Sequence, residues 1–309
     1  MKLVRVWFLM LLIAAMVPLA AQGAREVSVP AQEEPFAFVT DSYGREVVIP
    51  RQPQRIISLG PNITEMVFAL GLGDSLIGRT DFCDYPEAVF SVASVGGIMD
   101  PSIERIIDLE PDLVISSAHV GRAVVNSLEQ AGIPVVALYA DENFEGVFFT
   151  IREVGRITGA QDASESIIRE MEETFSMISE RVSDVPKPRV YYVVGFGEWG
   201  DFTAGGDTYI NQLIELAGGE NIAAGISGWS YSVEKLVEED PDIILISKFF
   251  SMKEQFASSP VYRDLRAVQA GDLYALDTNM IDRQGVRNAQ GALQLARIFH
   301  PELFGGDVP

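Results

Sequence analysis

The chain has little of what most catalytic and nucleic-acid chemistry requires. Its 309 residues include one cysteine, Cys83, and two histidines, His119 and His300. A single thiol forms no internal disulfide, so a buried or cleft-lining thiol is the expectation for Cys83. Neither histidine stands in a motif that would pair it with that thiol, and metal-ligand spacing is absent. Positive charge is scarce. Lys and Arg number 23 against 44 Asp and Glu, for a net charge of −21. Nucleic-acid and anionic-membrane surfaces need clustered cations, so both are disfavoured, while a basic protein partner is compatible. No GxxxxGK[ST] occurs, so the chain does not itself power ATP-driven work. The many carboxylates form no recognisable acid/base pair, and no catalytic residue is assigned.

Long apolar runs are also missing, with one exception. Lys2 and Arg5 precede the apolar run Trp7 to Val17, and small residues follow to Gly23. This reads as a secretory signal peptide over residues 1–23, cleaved near Gly23, because the run is short for a membrane span. No Cys follows the run, so a lipoprotein anchor is not expected.

What is present is an alternating α/β pattern, 48% hydrophobic, long enough for two domains. A hairpin is predicted from Phe36–Thr40 and Val47–Ile49 around Tyr43-Gly44. A buried strand, Arg55–Leu59, leads into a helix that Asn62 and Glu65 are expected to cap, and Gly71 ends it. Gln161 to Val185 lacks Pro and Gly, and Ile167, Met171, Phe175 and Ile178 recur at helical steps. It is predicted to be one amphipathic helix, stopped by Pro186 and Pro188. The resulting division is an N-terminal α/β lobe with its leader hairpin (24–158), a linking helix (159–186) and a C-terminal α/β lobe (187–309). Each lobe is expected to hold a mostly parallel sheet, with a ligand cleft between the lobes.

The two regions repeat each other. Ser102 to Ile115 matches Ser232 to Leu245 at a constant offset of 130, and only Leu109 against Glu239 is dissimilar. Asp100 and Ser230 are the expected N-caps of a short helix in each copy, and Pro111 and Pro241 close it. A weaker match pairs Ile63–Gly78 with Ile210–Gly225, the helices ending at Gly71 and Gly218. Shared βα physics is the alternative explanation for both matches. In parallel sheets the ligand site lies beyond the carboxyl ends of the strands. The loops expected there carry Phe82, Tyr85, Phe196, Trp199, Phe202, Trp229 and Tyr231. Such rings suit a large, flat, partly apolar ligand, the alternative for each being a place in the core. His119 follows a strand end; it is either a polar cleft residue or a ligand to a chelated metal. Gly195 to Gly200 fits GxGxxG, but the next helix is expected near Thr208, too late to present its N-terminus to a phosphate. Glu104 and Glu234 are equivalent in the repeat and fall in first helical turns, where complementing the helix dipole is the bland reading.

These segments resemble the solute-binding proteins of bacterial ABC importers for cobalamin, iron-siderophore and haem, whose lobes are joined by a single long helix. The resemblance runs from about Phe36 to Phe304. It rests on Val39-Thr-Asp-Ser-Tyr-Gly-Arg-Glu-Val, Arg55 to Glu65, Asp81-Phe-Cys-Asp-Tyr-Pro86, the two repeat segments, Gly218-Gly-Glu-Asn-Ile222 and Ala267 to Tyr274. It implies a monomeric, periplasmic, non-enzymatic protein without a cofactor, whose partners are a permease, its ATPase subunits and a small-molecule metal chelate. It also implies that Glu104 and Glu234 dock onto permease arginines. Asp81 to Pro86 is most similar to the cobalamin-binding branch, which uses rings at positions matching Phe82, Phe196 and Trp229. Departures from that branch are Phe82 in place of Tyr, Ser117 in place of a Trp, and no Trp in Gly96–Met99. A corrinoid is the ligand implied first, a ferric siderophore or haem second. For an anionic chelate the available cations are Arg79, Arg122, Arg283 and Arg287, with surface solvation as the alternative for each.

Overall fold

The structure, a computed structural model, describes residues 34–198 and 200–305. The signal-peptide reading of residues 1–23 and the placement of Trp199 therefore lie outside the described residues. Strands β1 (Ala37–Thr40) and β2 (Glu46–Ile49) form the antiparallel hairpin. Its turn is made by the Asp41 carboxylate, which accepts from the backbone N–H groups of Tyr43 and Arg45, both at 3.0 Å. The first lobe continues with β3 (Ile56–Leu59), α1 (Pro61–Ala69), β4 (Leu76–Arg79), β5 (Ala93–Ser94), α2 (Ile103–Asp108), β6 (Leu113–Ser116), α3 (Arg122–Gln130), β7 (Val135–Ala137) and α4 (Phe144–Thr158). Helix α5 (Gln161–Val182) follows. The second lobe comprises β8 (Arg189–Tyr192), β9 (Asp201–Phe202), α6 (Tyr209–Leu216), β10 (Glu220–Asn221), β11 (Ser230–Tyr231), α7 (Val233–Glu239), β12 (Ile243–Ser247), α8 (Met252–Ser258), α9 (Arg266–Ala270), β13 (Leu273–Leu276), α10 (Asn279–Asp282), α11 (Asn288–Phe299) and α12 (Pro301–Phe304).

Two parallel sheets result. One has the order β5-β4-β3-β6-β7, the other β10-β8-β12-β13. Their central strands are buried, Ile56–Leu59 and Leu113–Ser116 along their whole length in the first sheet and Ile243–Ile246 of β12 in the second. Helices cover both faces, which is why these strands read as continuous apolar runs. Helix α5 has 22 residues and buries Ile168, Met171, Phe175, Ile178 and Val182. Each such side chain contributes about 1.5–3 kcal/mol when fully buried, so α5 is packed onto α4 and α11 rather than spanning free solvent.

The repeat is structural as well as sequential. At the start of β3 the Asp112 carboxylate accepts from Arg55 N (2.9 Å), and Arg55 Nη2 donates to Leu109 O (2.6 Å). At the start of β8 Asp242 accepts from Arg189 N (2.8 Å), and the Arg189 guanidinium donates to Glu239 O. The one dissimilar column of the repeat thus contributes the same backbone carbonyl in both lobes. Its Glu239 side chain adds an ion pair to Arg189. Glu110 (φ 46) and Asp240 (φ 39), also equivalent, both take the left-handed region just before Pro111 and Pro241. The chain therefore leaves the helix by the same route in both lobes.

The caps differ from expectation. Ser102 and Ser232 cap α2 and α7, each accepting from the N–H three residues on at 3.3 Å. Asp100 and Ser230 stand two positions too early for that geometry. Helix α1 starts after Gly60 without a side-chain cap. Asn62 and Glu65 are inside it, and Glu65 points inward, 2% exposed.

Candidate functional site

A cavity of about 610 Å³ lies between the lobes, beyond the carboxyl ends of the strands. The first lobe lines it with Phe82 from the loop after β4, Ser117 and His119 from the loop after β6, and Tyr139 after β7. The second lobe contributes Tyr209 from α6, Trp229 just before β11, Asp282 from α10, and Arg283. Phe82 is 58% exposed and Trp229 37%, so their ring faces are open to a ligand.

Charge in the cavity wall is already partitioned. Arg283 Nη1 contacts Glu65 Oε1 (2.8 Å) and Asp84 Oδ1 (2.7 Å). Arg287 makes a two-pronged pair with Glu65, Nε to Oε2 at 2.8 Å and Nη2 to Oε1 at 2.6 Å. Glu65 and Asp84 belong to the first lobe and both arginines to the second, so this cluster ties the lobes together. Asn279 Nδ2 to Asp84 (3.1 Å) and Arg283 Nη2 to Phe82 O (3.3 Å) extend it. Two carboxylates face the cavity without an arginine of their own. Desolvation raises the Asp282 carboxyl despite the Tyr192 hydroxyl donating to it at 2.5 Å. Desolvation, with Asp207 nearby, raises Glu142 as well. Asp282 is exposed at the cavity wall while protein encloses its carboxyl group.

Phe82, His119, Trp229 and the candidate cation Arg283 are the sequence-chosen residues that the cavity wall brings together. Tyr85 is outside that wall, and its ring is covered by the Arg287 guanidinium, 4.3 Å from the centroid. Phe196 is half-buried against Phe256 (5.1 Å) and Tyr262 (5.6 Å), edge-on to both, so it packs in the second lobe's core. Phe202 sits in β9, paired with Ser230. Arg287, 5% exposed, is committed to Glu65 rather than free for a ligand. Glu104 and Glu234 are exposed in the first turns of α2 and α7, away from the cavity wall. Cys83 is buried, its Sγ 3.0 Å from Thr64 Oγ1 and 3.3 Å from Thr80 Oγ1. His300 ends α11, with Nε2 3.1 Å from Gly218 O. The sequence reading missed Tyr139, Tyr209, Glu142 and Asp282. No motif marks them; only the strand-end rule, applied to β7 and β13, points at the segments that hold three of the four, Tyr139, Glu142 and Asp282. Among the described residues no group of His, Cys, Asp or Glu has a metal-holding arrangement, and no helix is long and apolar enough to cross a membrane.

Known proteins share this arrangement. A cobalamin-binding protein of Halobacterium salinarum is 31% identical over 91% of this chain and 77% of its own length. An uncharacterized ABC transporter substrate-binding lipoprotein of Bacillus subtilis is 28% identical over 97% of this chain and 98% of its own. The apo periplasmic haem-binding protein RhuT of Roseiflexus sp. RS-1 superposes with a TM-score of 0.74 at 26% identity, over 80% of this chain and 98% of that one. A family profile for periplasmic binding proteins matches residues 56–280, most of the chain and parts of both lobes. On that match, with two parallel-sheet lobes closing on an aromatic cleft, the chain belongs to the periplasmic binding protein family.

Proposed function

We propose that this protein is the exported solute-binding component of an ABC importer and that it captures a corrinoid of the cobalamin type. The observation that carries the ligand assignment is the charge of the cleft. Every arginine that would grip an anionic chelate is engaged elsewhere. Arg283 and Arg287 are neutralised by Glu65 and Asp84. Arg79 donates to Val89 O and Thr80 O, and Arg122 lies over the Tyr43 ring at 4.5 Å. The cavity instead offers aromatic faces, phenols and the acceptors Glu142 and Asp282. Large apolar rings with amide N–H donors on their rim match that lining, because the rings cover apolar area and the carboxylates accept from the amides. A corrinoid has this chemistry, and a polycarboxylate does not. The cobalamin-binding relative supports the same reading.

Glu104 and Glu234 are the docking pair for the permease in this proposal. They are one per lobe, exposed, and held at equivalent helix starts by equivalent serine caps. The activity in this proposal is binding and delivery, which the match to periplasmic binding proteins supports. Haem is the second reading, favoured by the likeness to a haem-binding structure and by the exposed His119 imidazole on the cavity wall.

The test is retention of ligand through gel filtration. Mature protein is incubated separately with cyanocobalamin, haem and a ferric siderophore, and the eluted absorbance identifies what stays bound. Cyanocobalamin retained with quenching of Trp229 emission supports the corrinoid reading. Haem retained in its place, lost on His119→Ala, supports the second. Retention of none of the three overturns both.

A further inference from the structure

The segment that follows β12 departs from the rest of the surface. Phe250 is 89% exposed, more than any other large hydrophobic residue described. Its backbone is left-handed (φ 58°), and so is that of Ser251 (φ 53°). Neither is glycine, and two successive residues of this kind are unfavourable unless something depends on them. The strained turn is nonetheless built. Gln255 Nε2 donates to Phe250 O (2.7 Å), Phe249 N donates to Ser247 Oγ (3.2 Å), and Lys248 is tied to Asp277 (3.2 Å) while its ammonium lies 5.3 Å from the centre of the Phe249 ring. The local contacts fix a conformation that holds one aromatic ring out in water.

Its position is set by topology. The C-terminus of α7 lies at the amino edge of the sheet, because Arg189 at the start of β8 donates to Glu239 O. The first turn of α7, with Glu234, therefore lies toward the carboxyl edge, where Phe250 follows the last residues of β12. Leu236 of α7 and Phe256 of α8 belong to one core cluster, so the two helices cover the same face. Glu234 and Phe250 thus both lie toward the carboxyl rim of the second lobe's sheet, on the face that α7 and α8 cover. The cavity wall does not include Phe250.

We propose that Phe250 is an apolar docking contact for the membrane permease, on the same rim of the second lobe as Glu234. The inference rests on the reading of Glu104 and Glu234 as the docking pair. An exposed aromatic ring on the same rim as a carboxylate matches a partner surface that offers both an apolar pocket and a cationic socket. Buried aromatic anchors of this kind carry a large share of interface energy, ringed by weaker contacts. The acidity of the whole chain fits a cationic partner face. Lys248 does not oppose this, since Asp277 neutralises it.

The experiment uses the importer reconstituted in proteoliposomes, with cyanocobalamin as the solute. Phe250→Ala and Phe250→Gly are compared with the unsubstituted protein for solute affinity, thermal midpoint and half-maximal concentration for stimulating the ATPase. Solute affinity should be unchanged, while that half-maximal concentration rises about tenfold or more. Phe250→Gly relieves the left-handed strain, so its thermal midpoint should rise while its coupling falls. A merely structural residue would move both in the same direction. Unchanged coupling in both variants overturns the inference. A loss of solute affinity overturns it too, and makes Phe250 a contact at the cleft rim. Glu104→Ala with Glu234→Ala serves as the control. If that pair couples normally, the docking reading itself falls; if it uncouples while both Phe250 variants couple normally, only the role of Phe250 falls.

Discussion

Glu65 shows how much a single buried side chain decides here. It sits in the fifth helical position after Gly60, where the sequence suggests a capping carboxylate, and instead receives two guanidinium groups from the other lobe. Removing one partner of a buried ion pair leaves uncompensated charge, which costs about 3–5 kcal/mol. Glu65→Ala should destabilise the protein by that order in urea unfolding, and Arg287→Ala by less, because Arg283 still pairs with Glu65 at 2.8 Å. Asp282 makes a prediction about pH. Its carboxyl is raised by desolvation, so the folded state holds its proton to higher pH than the unfolded chain does. Its contribution is fully present below the unfolded pKa and is lost as pH rises through the folded one. Asp282→Asn keeps an acceptor for the Tyr192 hydroxyl and removes that loss. The thermal midpoint of the variant, relative to the parent, should therefore climb as pH rises from acid to neutral. Asp41 has the opposite sign. Burial would raise it, but the Arg45 side chain and the N–H groups of Arg45 and Ala137 outweigh burial and hold it low. Stability from Asp41 is present above its unfolded pKa and is lost on acidification through the folded one.

At the scale of elements, the two helix exits that share a sequence signal differ in what surrounds them. Gly71 (φ 77°) and Gly218 (φ 84°) both end helices in the left-handed region, and they are equivalent positions of the weaker repeat. A Cβ at Gly71 would meet nothing within 4 Å, so Gly71→Ala should cost only the backbone penalty, about 1–2 kcal/mol. A Cβ at Gly218 would fall 2.6 Å from His300 Nε2 and 2.8 Å from Val182 Cβ, at the junction of α5 and α11. Gly218→Ala should cost clearly more than Gly71→Ala in the same chemical-denaturation assay; equal costs would mean that the junction gives way freely. The linking helix itself was legible because nothing in residues 161–182 interrupts a 3.6-residue apolar period. The short helices α2 and α7 were legible through the repeat, down to the carboxylates in their first turns. Their caps were not. Whether Asp100 or Ser102 starts the helix depends on a few degrees of backbone direction that the residue types leave open.

At the scale of the molecule, the lobes meet in two ways. Helix α5 crosses behind them, and the cluster of Glu65, Asp84, Arg283 and Arg287 joins them beside the cavity. A ligand that fills this cavity touches loops of both lobes. Binding at about 100 times Kd should add about 2.7 kcal/mol to stability. Amide exchange should then slow around Phe82 and Ser117–His119 in the first lobe and around Trp229 and Asp282–Gln284 in the second. Slowing confined to one lobe would place the ligand elsewhere. How much of the cleft was legible follows from the same geometry. Phe82, His119 and Trp229 stand on strand-end loops, and the strand-end rule finds them. Phe196 stands on such a loop too, but Phe256 and Tyr262 arrive from α8 and the loop before α9 and take its ring into the core. Arg287 is likewise claimed by a residue 222 positions away.

The amino-acid sequence by itself determined the two α/β lobes, the linking helix, the duplicated unit and the matched position of Glu104 and Glu234. These follow from local periodicity, from helix-ending prolines and glycines, and from one pattern written twice, all of which are properties of neighbouring residues. Only the tertiary structure decided the charge of the cleft. Arginines and carboxylates are interchangeable in a linear reading, because their effect depends on which partner they meet across the lobes. Folding brings Glu65 and Asp84 against Arg283 and Arg287 and leaves Glu142 and Asp282 facing the cavity. That partition, and not composition, is what favours an amide-bearing ring over an anionic chelate.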